Sequence, residues 1–226
     1  MAQPQPLRPE EERMIPTPVR AVTMQEEREA IAEANVISVA NPISLGLTTF
    51  GLSTFLGGVV AVGFYQPESF GFLVPIGFLF GGVAQFLAGM WAFRKNDSLT
   101  ATLFTSYGAF WLALSILIAG VGTGAITLGP ALMPMVGMLF AAWGIEMVYL
   151  WVASMRHSVS LAAVTGLLLL SLALLSIGSF AGSNAFIVAG GWAAIISSIC
   201  AWYTAAAHVI NDTFKEHVLP IWPSGK

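Results

Sequence analysis

The sequence predicts an all-α integral membrane protein, a six-transmembrane-helix bundle with its N- and C-termini cytoplasmic. Three observations predict it. The 226 residues are 56% hydrophobic and 9% charged, with a mean hydropathy of +0.78, whereas a soluble domain is about a quarter charged. Six stretches reach the roughly 20 apolar residues that a helix needs to cross a hydrocarbon layer about 30 Å thick. All nine Lys and Arg residues lie on one side of those stretches. The net charge of −3 belongs to the tails and loops, and no basic patch exists that could bind nucleic acid. The single cysteine, Cys200, sits in an apolar run, so neither an intramolecular disulfide nor a cysteine-based metal site is expected.

The chain divides into a polar N-terminal tail over 1–38, a transmembrane domain over 39–210 and a short C-terminal tail over 211–226. The tail lacks the basic-then-apolar order of a cleavable signal peptide, so the first span is expected to serve as the insertion signal. Residues 1–23 read as disordered. Residues 24–38 form a candidate amphipathic helix, read as a solvated leader or as a regulatory, lipid-sensing element. Seven acids against four bases in this tail oppose adsorption to anionic lipid.

The spans are predicted near 44–64, 72–93, 99–120, 132–153, 159–180 and 185–207. Five contain no Asp, Glu, Lys or Arg, and the fourth contains only Glu146. Pro67, the Asn96-Asp97-Ser98 run and Pro130 mark loops, with Ser98 and Ser158 as expected N-caps. Arg8, Arg13, Arg20 and Arg28 precede the first span. Arg94 and Lys95 lie between the second and third, Arg156 between the fourth and fifth, and Lys215 and Lys226 after the sixth. Basic loops stay in the cytoplasm, which places both termini there.

Small residues supply close contact where lipid removes the hydrophobic drive between helices. Gly57 and Gly58, the Gly77/Gly81 pair, and Gly190, Ala194 and Ser198 fit packing within one protomer or between copies.

No nucleophile elbow, HExxH motif or phosphate loop is present, and His157, His208 and His217 all fall at membrane ends. No cofactor, metal site or enzyme activity is expected. The polar groups inside the spans are hydroxyls and amides, suited to lining a path for a small polar solute. Gln85 is costly in lipid, so it faces the interior, either lining a lumen or bonding between helices. Glu146 is a candidate proton site, with a neutral carboxyl hydrogen-bonded between helices as its alternative. At the start of the first span, Asn41 and Pro42 suit a helix N-terminus, whose free N–H groups serve capping or attract an anion.

Three blocks carry a resemblance. Asn41-Pro42-Ile43-Ser44-Leu45-Gly46-Leu47 opens the first span, Phe80-Gly81-Gly82-Val83-Ala84-Gln85 lies in the second, and Phe104-Thr105-Ser106-Tyr107-Gly108-Ala109-Phe110-Trp111 lies in the third. Ala181-Gly182-Ser183-Asn184-Ala185 and Asn211-Asp212-Thr213-Phe214 add to it. Over about residues 38–222 the chain resembles the acetate uptake transporters, a family that includes bacterial succinate-acetate permeases. The resemblance implies a homo-hexamer in the plasma (inner) membrane. Each protomer would hold a pore for acetate and related short carboxylates, succinate among them, working by proton-coupled symport or as an anion channel. Carried onto this chain, the pore constriction falls on Phe50, Tyr107 and Leu168. The substrate path passes Asn41, Pro42, Leu45, Gly46, Gln85, Thr105 and Trp111. Ser44 stands where the family motif has a second proline, and Glu146 is outside the family pattern. The rival functions are export of ammonia or another small solute, and a non-transporting sensor acting through the N-terminal tail.

Overall fold

The computed structural model describes residues 39–64 and 70–223, together with Glu26. The expectations for residues 1–23, the helix over 24–38, Pro67 and Lys226 lie outside the described residues. Six helices are long and apolar enough to cross a membrane: Ile43–Ala61, Gly71–Arg94, Ser98–Gly122, Gly129–His157, Val159–Ala181 and Asn184–Phe214. They are called the first to sixth spans below.

The spans pack in the order third, second, first, sixth, fifth, fourth, and the third and fourth meet only sparsely. The starts of the odd spans and the ends of the even ones share one end of the bundle, here the terminal end; the opposite end is the far end. At the seam between the first and sixth spans, Gly58 and Gly191 bring two backbones together, and the Trp202 indole N–H donates to the Thr48 carbonyl at 3.3 Å. Gly77 and Gly81 of the second span lie against Trp111 of the third. The glycines singled out in the sequence thus pack helices within the protomer.

The second span is not a uniform α-helix. Phe70–Ile76 contains Pro75, which has no N–H to give to the preceding turn. A π-helical stretch, Gly77–Ala84, follows, and Gln85 closes it by donating its backbone N–H to the Phe80 carbonyl five residues back. The third span starts one residue earlier than expected of its cap: Asp97, not Ser98, accepts from the Thr100 N–H at 3.0 Å. The Asp97 carboxylate, held in extended backbone, reaches a free donor of the first turn that Ser98, already helical, does not. Ser158 caps the fifth span as expected, accepting from Leu161 N–H at 3.2 Å. That span ends at Gly182, whose φ of +62° suits a residue without Cβ.

The sixth helix runs on to Phe214, past the expected 207. The chain then turns back along it. Asn211 donates to the Leu219 carbonyl at 2.8 Å and accepts the Leu219 N–H at 2.9 Å, while Tyr203 Oη donates to the Pro220 carbonyl at 2.7 Å. Val159 N–H then donates to the Trp222 carbonyl at 2.9 Å, so the C-terminal segment satisfies a free donor at the start of the fifth span. Without these tertiary bonds the polar turns around Asn211 and Asp212 read as tail.

A candidate pore: vestibule, constriction and buried amide

The core of the bundle holds Ile43, Leu47, Phe50, Phe104, Tyr107, Met147, Leu161 and Leu168. On its far-end side lies a cavity of about 830 Å³ with walls from all six spans. Its lining reaches Ala61, Gly71, Gly122, Leu132, Ser179 and Ile187, which sit at the far-end termini of successive spans. Deeper in the bundle is a void of only about 10 Å³ bounded by Phe50, Gln85, Phe104, Thr165 and Leu168 among others. Space of that size is at the limit for one water molecule. Leu168 borders both spaces, Tyr107 borders the vestibule and Phe50 borders the void. The three residues expected to form a constriction therefore lie at the boundary between a wide space and a closed one.

Among the described residues no Asp, Glu, Lys or Arg lines either space. Burying a bare charge there is costly, so neutral donors set the electrostatics. Most wall hydroxyls are already engaged: Ser171 donates to the Gly190 carbonyl at 2.8 Å, Ser179 to Leu175 at 2.7 Å, and Tyr107 makes a long 3.5 Å contact to the Trp143 carbonyl. Thr165 bonds Leu161 and shares a 2.7 Å contact with Ser154. Gln85 differs. It is fully buried, and neither its Oε1 nor its Nε2 has a partner. Each buried orphan polar group costs about 1–3 kcal/mol, so an unpaired amide at a narrow point is a place where a polar solute or water is favoured. Of the two readings of Gln85, the structure offers no interhelical bond.

The other expected residues are distributed unevenly. Trp111 lines the vestibule. Asn41 is half-buried at the start of the first span, and its Oδ1 accepts the Ile43 N–H at 3.3 Å, a capping role. Pro42 and Gly46 are buried; a Cβ on Gly46 would collide with the Phe104 ring. Thr105 is half-buried under Gly89, with no partner for its hydroxyl. These four border neither space. Leu45 is 48% exposed on the outer face of the first span. Consecutive helical residues are turned about 100° apart, so a contiguous motif cannot send every residue inward, and Leu45 is placed off the path that the two spaces define. Glu146 is half-buried on the fourth span and borders neither space, and among the described residues no hydrogen bond or ion pair reaches it. Ser171 and Phe140 line the vestibule without having been singled out. Ser171 was findable from its spacing of three from Leu168; Phe140 was not, because nothing in an apolar run marks which side faces inward.

Six apolar helices around a vestibule that ends at a neutral, nearly closed point make this a membrane transport protein. The chain belongs to the GPR1/FUN34/yaaH family, which its residues 23–223 match. It is 34% identical over 186 residues to the succinate-acetate/proton symporter SatP of Escherichia coli, covering 82% of this chain and 97% of that one. It is 27% identical over 195 residues to acetate permease A of Emericella nidulans, covering 80% of this chain and 65% of that one. It is also 26% identical over 191 residues to ammonia transport outward protein 3 of Saccharomyces cerevisiae, covering 81% and 70%. The structure of the bacterial acetate channel SatP matches with a TM-score of 0.77 at 33% identity, over 81% of this chain and 99% of that chain. This is a multi-pass protein of the plasma (inner) membrane and not an enzyme.

Proposed function

We propose that the protein carries acetate and related short carboxylates, succinate included, through a pore formed by each protomer. The observation that carries this reading is the unpaired Gln85 amide beside the void between Phe50 and Leu168. It offers one donor group and one acceptor, the complement of a carboxyl, beside a void of about 10 Å³ whose other walls are mostly apolar. The names of the similar proteins, a succinate-acetate symporter, an acetate permease and an acetate channel, support the same substrate. Phe50, Tyr107 and Leu168 form the gate, and Trp111 lines the vestibule leading to it. Asn41, Pro42, Gly46 and Thr105 shape the helices around the path from behind the lining.

The terminal end faces the cytoplasm, in keeping with Arg94, Lys95, Arg156 and Lys215 at helix ends there. The fourth span, with 11% of its apolar window buried against 56% for the first, offers the surface on which copies assemble into the hexamer.

With no Lys or Arg among the described residues that line the path, the solute passes either as the neutral acid together with its proton or as an anion stabilised by neutral donors. Proteoliposomes separate the two: labelled acetate is taken up under an imposed pH gradient and the uptake collapses with an uncoupler in the first case, while voltage alone drives it in the second. Absence of acetate flux under either gradient overturns the assignment. Ammonia export is the second reading, favoured by the apolar gate and by one relative's name; unlabelled acetate competes for the path only if acids use it.

A further inference from the structure

The fourth span is the least covered of the six, with 11% of its apolar window buried against 33–56% for the other five. Its inward side is set by Met147, Leu150 and Ser154, all buried. At about 100° per residue, Ala142, Glu146, Tyr149 and Ala153 fall within about 60° of one another, on a stripe turned about 100° from that side. Ala142, Tyr149 and Ala153 are exposed, and Glu146 is half-buried. Glu146 also stands near the middle of the helix Leu132–His157. An acid at such a depth is disfavoured against lipid by roughly a hundredfold. Its own protomer offers no compensation, since among the described residues no hydrogen bond or ion pair reaches it.

We propose that this stripe is a contact between two copies of the chain, and that Glu146 is its polar centre, bonded to a polar group of the second copy. Hydrocarbon offers a carboxyl nothing, so a lipid chain cannot take the same place. Ala142 lies one turn to one side of Glu146 and Ala153 two turns to the other. Small residues so placed let a second backbone come close, which is how helices associate where lipid removes the hydrophobic drive. Buried polar groups of this kind fix register and partner more than they add stability. The inference rests on the reading that copies assemble through the fourth span, and it names the group that decides how they meet.

The test uses the full chain in liposomes at a low protein-to-lipid ratio, with subunits counted by stepwise photobleaching of an N-terminal fluorophore. Glu146→Leu should weaken assembly by about 3- to 30-fold, the worth of one hydrogen bond between helices in a membrane. Glu146→Gln, of the same shape and still able to hydrogen-bond, should keep most of it. Ala142→Phe leaves the carboxyl in place but blocks close approach, and should weaken assembly at least as much as Glu146→Leu. A photoreactive benzoylphenylalanine at Tyr149 identifies the occupant with Glu146 untouched, and crosslinks to a second copy are expected. Crosslinks to lipid alone overturn the proposal, and the fourth-span assembly with it. Crosslinks between copies, with assembly that Glu146→Leu leaves unchanged, overturn the proposal alone. Acetate flux in the same liposomes is read separately: its absence from the parent protein defeats the transport reading and leaves this contact standing.

Discussion

Gly58 and Gly191 meet backbone to backbone: a Cβ built on either would stand 2.8 or 2.9 Å from the other's carbonyl oxygen. That contact joins the first span to the sixth. Because both atoms are main-chain, neither can swing aside. Gly58→Val or Gly191→Val should therefore force the helices apart, at a cost of about 1–3 kcal/mol or more, seen as a lowered melting temperature and loss of a monodisperse peak. Gly71→Ala, which adds its Cβ to open space, should leave both unchanged.

Gln85→Leu separates stability from transport. Both amide atoms are buried and unpaired, so an apolar replacement of similar size removes their desolvation cost. The variant should melt at the same temperature or higher, with a gain of up to about 1–3 kcal/mol. Acetate flux should fall by at least about tenfold, the loss of roughly 1.4 kcal/mol of solute stabilisation at the gate. A variant that both melts early and loses flux would assign Gln85 to packing instead.

Leu168→Ala removes the side chain that borders both spaces. Such truncations cost about 2–5 kcal/mol, so a lower melting temperature is expected. The void and vestibule should merge, and larger carboxylates should gain flux relative to acetate. Unchanged selectivity in a folded variant would move the gate elsewhere.

The dependence on pH follows from the solute. A simple carboxylic acid, with a pKa between about 4 and 5, is neutral in fewer than about one molecule in 100 at pH 7. If the neutral acid crosses, flux at fixed total acetate should be nearly constant below about pH 4 and fall about tenfold per unit above pH 5. Flux of the anion would show the opposite sign at low pH, dropping as protonation removes the carried species. Initial rates between pH 4 and pH 8 decide it.

The spans were legible because run length and absence of charge need no tertiary information: the predicted 159–180 and the observed Val159–Ala181 differ by a residue. What hydropathy could not register was local. The π-helical Gly77–Ala84 is as apolar as an α-helix and is marked only by Pro75 and its glycines. The extension of the sixth helix to Phe214 depends on Asn211 finding Leu219, eight residues on. At the site, Gln85 could be turned inward from cost alone, whereas Leu45 shared a motif with inward residues and yet faces out.

The arc order of the spans bears on how the protein is made. Its closing seam joins residues 133 positions apart, from 191 − 58. At about 5–20 residues per second, the first span leaves the ribosome roughly 7 to 27 s before the stretch around Gly191 exists. Through that interval its glycine-rich face has only the second span and surrounding lipid for company. The newborn chain is in that sense a set of hairpins awaiting its last helix, and premature termination before the sixth span leaves the first without its mate.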